Sequence, residues 1–270
     1  MKQIIVLLWV IIIILLIVNK FFINNFTNNN LTNNNIHFIH IGKTGGTTID
    51  KTFHFSRSHH RKPPKNNNLQ YIISIRHPIK RLVSAFYMAK QALDTDYSKP
   101  KPENYVSDFN KVKNRLIKDG YIYSEKIDKT IKKYNNVNDL FENIYKDDDV
   151  IYLFNNNIKH QHLSKGIGWY LDNGKFIEDY HNNILYVAKN EYLDEDIQKI
   201  SDIVGIKINE LKKERLNTFN YEKYLSPLAI DNIKKLLKDT DYKTLEIMNK
   251  YDLIDDEYLQ YCYEYESFLV

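Results

Sequence analysis

The sequence predicts an α/β fold of three layers, a central parallel sheet flanked by helices. Three observations carry this expectation. Short runs rich in β-branched and aromatic residues recur at residues 36–41, 69–75 and 184–188. Each is followed by a stretch with apolar residues at helical spacing. Strands that alternate with helices need crossover connections, and these build a parallel sheet covered on both faces.

The elements follow in order. Ile36-His37-Phe38-Ile39-His40-Ile41 is the first strand. A glycine-rich turn occupies residues 42–46. Thr47 and Thr48 then open a helix with Ile49 and Phe53 on one face. Residues 57–68 read as a basic, Asn-rich loop. Leu69-Gln70-Tyr71-Ile72-Ile73-Ser74-Ile75 is the second strand. Pro78 suits the first turn of a helix, where an N–H is not needed. Leu82, Val83, Phe86 and Tyr87 form the apolar stripe of that helix. Residues 184–188 make a third buried strand, and an amphipathic helix follows over 194–204. Helical patterns at 226–237 and 242–251 close the domain. The acidic, Tyr-rich tail over 255–270 carries no legible element.

At 270 residues the chain has room for one such domain or at most two small ones, and the pattern assigns one to 36–254. A hydrophobic share of 43% with 27% charged residues is ordinary for a globular protein, and eight glycines with six prolines rule out a fibrous or linker-dominated chain. The single cysteine, Cys262, excludes an internal disulfide and a Cys-based zinc site. A net charge of +4 is too weak for a nucleic-acid footprint, so no nucleic-acid partner is expected.

The N-terminus predicts a membrane anchor over residues 1–23. Residues 4–18 are apolar without a break. If Lys20 snorkels, the stretch 4–23 spans about 30 Å of hydrocarbon. No small-residue cleavage site follows, which favours an anchor over a cleaved signal. Lys2 and the α-amino group against Lys20 tip the orientation slightly toward a cytoplasmic N-terminus. The expected topology is that of a single-pass type II membrane protein with its domain in the lumen. Residues 24–35 hold eight asparagines and read as a flexible stem. The stem carries the glycosylation triplets Asn25-Phe26-Thr27 and Asn30-Leu31-Thr32, which such a tract also produces by chance.

Two motifs carry chemistry. In the first, a strand leads through Gly42-Lys43-Thr44-Gly45-Gly46-Thr47-Thr48 into a helix. Backbone N–H groups in such a turn, and at the helix N-terminus behind it, point at an anion. Glycines allow close approach, Lys43 adds a point charge and the threonines add hydroxyls. A nucleotide P-loop, G-x-x-x-x-G-K-[ST], needs a glycine at position 37. That residue is His37, inside the strand, so the Walker reading fails. In the second motif, Arg76 ends a strand, at the carboxyl edge where α/β sheets bind ligands. Ser84 lies about two turns into the next helix. A guanidinium fork and a hydroxyl at that spacing suit a phosphate.

The segment Phe38-Ile39-His40-Ile41-Gly42-Lys43-Thr44-Gly45-Gly46-Thr47-Thr48 resembles the 5′-phosphosulfate loop of the membrane-bound, Golgi-type carbohydrate sulfotransferases. It looks closest to the family-2 enzymes that include the heparan sulfate 6-O-sulfotransferases. Arg76-His77-Pro78-Ile79-Lys80-Arg81-Leu82-Val83-Ser84 resembles that family's 3′-phosphate motif, R-[DN]-P-x-x-R-x-x-S. His77 stands where the family has Asp or Asn, which bears on the local turn. A weaker likeness covers Ile184-Leu185-Tyr186-Val187-Ala188-Lys189-Asn190-Glu191-Tyr192-Leu193 and Tyr224-Leu225-Ser226. The resemblance spans roughly residues 36–252, and only the two phosphate motifs are specific.

The resemblance implies a P-loop-like version of the three-layer fold. It also implies transfer of a sulfuryl group from 3′-phosphoadenosine 5′-phosphosulfate (PAPS) to a glycan hydroxyl, without a metal. Lys43 would stabilise the departing phosphate. Thr44, Gly45, Gly46, Thr47 and Thr48 would make up the 5′-phosphate loop, and Arg76 and Ser84 would hold the 3′-phosphate. Relatives place a His base between the two motifs. His54 is assigned to packing beside Phe53 and Phe55, and the base role falls to His59 or His60. Arg57, Arg61, Lys62 and Lys65 surround that pair and can steer an acidic glycan, or simply solubilise the loop. His160-Gln161-His162 lacks further ligands at zinc spacing and reads as acceptor-side loop or plain surface. A tyrosine hydroxyl ranks below a sugar as acceptor. The rivals are a P-loop nucleotide kinase or phosphotransferase, and a non-catalytic protein that binds acidic glycans.

Overall fold

A computed structural model describes residues 35–94, 125–154, 162–208 and 224–265. The anchor, both glycosylation triplets, the stem up to residue 34 and His160 lie outside the described residues. Among the described residues, no helix is long and apolar enough to cross a membrane.

Four strands form one sheet: β1 (Ile36–His40), β2 (Ser56–Ser58), β3 (Gln70–Ile75) and β4 (Ile184–Lys189). All pairings are parallel and the order is β2-β1-β3-β4. Three strands lie where the sequence predicts them. The fourth, β2, falls in residues expected to be loop. Ser56-Arg57-Ser58 is short and polar, so neither its length nor its composition signals a strand. It is held at the sheet edge by pairing with β1 and by His37. The His37 ring hydrogen-bonds Ser56 Oγ through Nδ1 and Ser58 Oγ through Nε2, both at 2.8 Å.

Period-two alternation sends successive side chains to opposite faces. Ile36, Phe38, Ile72 and Ala188 face α1 (Gly46–Phe53) and α8 (Leu193–Val204), packing with Ile49, Phe53, Ile197 and Ile200. Ile39, Ile41, Tyr71, Ile73 and Ile75 face the opposite layer, with Tyr170, Phe176, Leu245 and Met248. That layer is built from α6 (Ile167–Tyr170), α7 (Lys175–Tyr180) and α10 (Lys243–Lys250). The protein is therefore an α/β fold with helices on both faces of a parallel sheet, as expected.

A third cluster lies off the sheet. It joins α2 (Pro78–Asp94), α3 (Glu125–Lys133), α4 (Val137–Glu142), α5 (Asp148–Tyr152) and α9 (Pro227–Leu237). Leu82, Phe86, Ile131, Leu140, Phe141, Val150 and Ile233 fill it. Ser226 caps α9, its Oγ accepting from the Ala229 N–H. A π-helical turn, Lys238–Tyr242, joins α9 to α10 and buries Asp241. The Tyr-rich tail has an element after all. Asp255 caps α11 (Asp256–Tyr263), which sends Tyr258 and Cys262 into the sheet-facing core.

Candidate functional site

The four strand ends deliver the chemistry-bearing residues to one edge. The chain leaves β1 into Gly42-Lys43-Thr44-Gly45, β2 into His59-His60, β3 into Arg76-His77, and β4 into Asn190-Glu191. From β1 the order runs one way to β2 and the other way to β3, so the crossovers diverge between β1 and β3. In open α/β sheets this divergence leaves a crevice at the carboxyl ends, where ligands bind.

The loop after β1 is wound by two positive φ angles, 71° at Lys43 and 76° at Gly45. Glycine takes such an angle freely, whereas at Lys43 it is strained. Thr44 turns inward. Its Oγ1 donates to Ile41 O at 2.7 Å and lies 2.6 Å from Ser74 Oγ, so its hydroxyl ties the loop to the sheet. Only the backbone of Thr44 remains for a ligand, a correction to its expected side-chain role. Thr48 is buried as well, while Thr47 is half-buried at the helix start. Gly45 caps α1 without any side-chain bond to the first-turn amides. Lys43 Nζ sits 3.5 Å from Met88 Sδ. Burial, with the Arg76 charge behind it, pushes the Lys43 ammonium down to about 8.

Arg76 meets that loop. Its Nη1 donates to Lys43 O at 3.4 Å, while its buried Nε has no hydrogen-bond partner. Burial works against its charge, and Glu191, Tyr261 and Tyr258 offset part of that. Ser84 is half-buried on α2, one turn before Met88 and so on the helix face that reaches Lys43. His77 does the work of an Asp or Asn at a helix start. Its Nδ1 accepts the Ile79 N–H at 3.1 Å, and its own N–H donates to Glu191 Oε1 at 3.1 Å. Burial pushes its imidazole down to about 3.

The histidines after β2 are not a solvated loop. His59 stacks on His40 with centroids 4.0 Å apart, and its Nδ1 donates to His40 O at 3.1 Å. His60 has a φ of 59°, and its N–H donates to Tyr170 Oη at 3.0 Å. Gly42 also donates its N–H to Tyr170, whose hydroxyl is pushed up to about 12 by burial. His162 completes the group, its ring centroid 4.7 Å from that of His60. One ring nitrogen from each of His59, His60 and His162 lies within 4.8 Å of the others. The expectation for His162 is an acceptor-side loop or plain surface, and the structure sets it beside His59 and His60. Its partners sit about 100 residues upstream, out of reach of any spacing rule. His54 is corrected too: it ends α1 at a φ of 55° and is exposed, not packed.

The charge of the basic loop is partly offset by Asp50 and Asp172. Arg57 pairs with Asp50, and Lys62 and Lys65 both pair with Asp172. Arg61 donates to Arg57 O. Beneath the site, buried Arg81 lies 3.5 Å from Asp241 Oδ2 and donates from Nη1 to His162 O at 2.7 Å. Asp241 Oδ1 accepts the Gly168 N–H at 2.9 Å. The sequence holds no signal for Tyr170 or Asp241, which reach the site only through the fold. No family model, curated protein or solved structure matches this chain.

Proposed function

We propose that the protein is a sulfotransferase that moves a sulfuryl group from PAPS to a glycan hydroxyl, on a P-loop-like form of this fold. The observation that carries the reading is the meeting of Arg76 with the Lys43 loop, at 3.4 Å, across the divergence of the crossovers. Two sequence motifs, each suited to a phosphate, thus line one crevice. A donor with phosphates at two positions uses both.

The donor's 5′-phosphosulfate takes the backbone amides of Gly45, Gly46 and Thr47 at the start of α1, with the Lys43 ammonium beside the bridging oxygen. Arg76 and Ser84 take the 3′-phosphate. The acceptor oxygen attacks sulfur, the sulfur–oxygen bond to the phosphate breaks, and Lys43 offsets the charge left on that phosphate. The acceptor's proton passes to a histidine of the His59-His60 pair. His59 suits this role: its Nδ1–H is bound to His40 O, which leaves Nε2 to accept, and burial keeps the ring neutral near pH 7. Asp50 and Asp172 offset part of the charge of Arg57, Lys62 and Lys65, and the loop keeps a positive balance that can steer an acidic acceptor. The anchored, lumen-facing placement follows from residues 1–35 and belongs to the same proposal.

The test is the thermal stability of the full chain with 3′-phosphoadenosine 5′-phosphate, and separately with ATP and Mg²⁺. Ligand at a hundred times its Kd adds about 2.7 kcal/mol, which raises Tm by roughly 5–10 °C at this size. A rise with the bisphosphate alone is expected. A rise with ATP alone transfers the site to the kinase reading, and a rise with neither overturns donor binding.

A further inference from the structure

We propose that His59, His60 and His162 bind one transition-metal dication of the zinc class through three imidazole nitrogens, leaving a fourth position open. The inference does not rest on the sulfotransferase reading.

The geometry is close to that of a site. One nitrogen from each ring already lies within 4.8 Å of the others. Tetrahedral zinc at 2.0–2.1 Å from each nitrogen sets the nitrogens about 3.3 Å apart. Closing the group therefore takes side-chain rotation, with no change of fold. Three histidines with an open position is the donor count of zinc sites that keep an exchangeable ligand.

His59 is held through its second ring nitrogen, as metal histidines are, and His60 and His162 are held through their backbone. His59 donates from Nδ1 to His40 O, so its Nε2 carries the lone pair. His60 is fixed through its N–H to Tyr170 Oη. His162 is fixed by Arg81 Nη1 on its carbonyl, and its ring lies against Gly42. A Cβ at Gly42 would stand 1.9 Å from His162 Nδ1, so the ring fits only because that residue is glycine. His162 Nδ1 is buried without a hydrogen-bond partner, an unfavourable state that a metal bond relieves.

The donor set selects the ion. Imidazole nitrogens suit zinc, copper, nickel and cobalt, and among the described residues no carboxylate joins the group to favour magnesium or calcium. The Lys43 and Arg81 charges act on His162 and oppose a dication. An anion in the open position offsets that repulsion. A metal on His59 Nε2 takes the lone pair that a proton acceptor needs, so at that nitrogen the two uses exclude each other.

The test uses the full chain without a His tag, stripped with chelator and titrated with Co²⁺. One cobalt per chain with the intense visible bands of four-coordinate cobalt is expected, displaced by Zn²⁺. His59→Ala and His162→Ala should each weaken binding more than about tenfold, and His181→Ala, at an exposed ring stacked on Tyr251, should not. His162→Gln, read with its circular dichroism, separates loss of a ligand from loss of fold. Absence of stoichiometric cobalt binding overturns the site. So does binding that survives in folded His59 and His162 variants. Cobalt binding without any response to the bisphosphate overturns the sulfotransferase reading and leaves this one standing.

Discussion

Arg76 Nη1 donates to the carbonyl oxygen of Lys43, joining two loops whose partners are 33 residues apart in sequence. The contact brings the guanidinium to the Lys43 loop, and the Arg76 charge adds to burial in working against the Lys43 ammonium. An anion between them relieves that repulsion. Arg76→Lys keeps the charge and loses the fork. It should weaken 3′-phosphoadenosine 5′-phosphate binding by about 2 kcal/mol, some thirtyfold, as read by calorimetry. Unchanged affinity removes Arg76 from the donor site. Lys43→Ala should instead lower kcat far more than it lowers affinity for this product. Equal losses in both would deny Lys43 its role at the leaving phosphate.

Thr44 and Ser74 tie the loop to the sheet through buried hydroxyls 2.6 Å apart. Thr44→Val keeps the shape and strands Ser74 and Ile41 O. The expected loss is about 1–3 kcal/mol of stability in urea denaturation, with donor affinity retained in the folded fraction. Adding Ser74→Ala should recover part of the loss. A Thr44→Val protein that is fully stable yet no longer binds donor would return the hydroxyl to the ligand.

His77 is buried neutral, its imidazole pushed from 6.5 down to about 3. Between those values the unfolded chain binds a proton that the folded chain does not. The contribution is intact above pH 6.5 and lost as pH falls through that window, at about 1.4 kcal/mol per unit. His77→Asn keeps an acceptor for the Ile79 N–H and removes the titration. From pH 6.5 to pH 5 the variant should lose about 2 kcal/mol less stability than the parent. Parallel pH profiles would show that His77 is not held neutral.

Arg81 and Asp241 are both buried, and each is bonded to the backbone of the segment that carries His162. Arg81→Met leaves Asp241 uncompensated and should cost about 3–5 kcal/mol. Arg81→Met with Asp241→Leu should cost less than the sum of the two single changes. Additive losses in a double-mutant cycle would mean the pair is not coupled.

Cys262 is fully buried in the core and its thiol is pushed up to about 12. It should react with a thiol reagent only as fast as the protein unfolds. Rapid labelling of the folded chain would place α11 off the core.

The parts of this protein legible in its sequence are those set by local pattern. Ile36-His37-Phe38-Ile39-His40 and Gln70-Tyr71-Ile72-Ile73-Ser74-Ile75 read as strands because they are short and rich in β-branched and aromatic residues. The stripe of Leu82, Val83, Phe86 and Tyr87 and the turn at Gly42–Gly46 are likewise short-range signals. What lies beyond them was decided by packing. Ser56-Arg57-Ser58 becomes a strand only because β1 offers it an edge, and the Tyr-rich tail becomes α11 because the sheet leaves an apolar surface for Tyr258 and Cys262.

The sequence by itself determined the fold class and brought Lys43 and Arg76 to strand ends, since a residue just past a buried run has nowhere else to go, whereas His59 and His60 follow a strand that only pairing with β1 creates. Only the tertiary structure decided that Thr44 turns inward, that His77 caps a helix, and that His162 closes on His59 and His60 under the hold of Arg81 and Asp241. Those relationships are contacts between residues far apart along the chain. Their energy comes from burying and pairing polar groups, and no local periodicity records which partner a buried group will find.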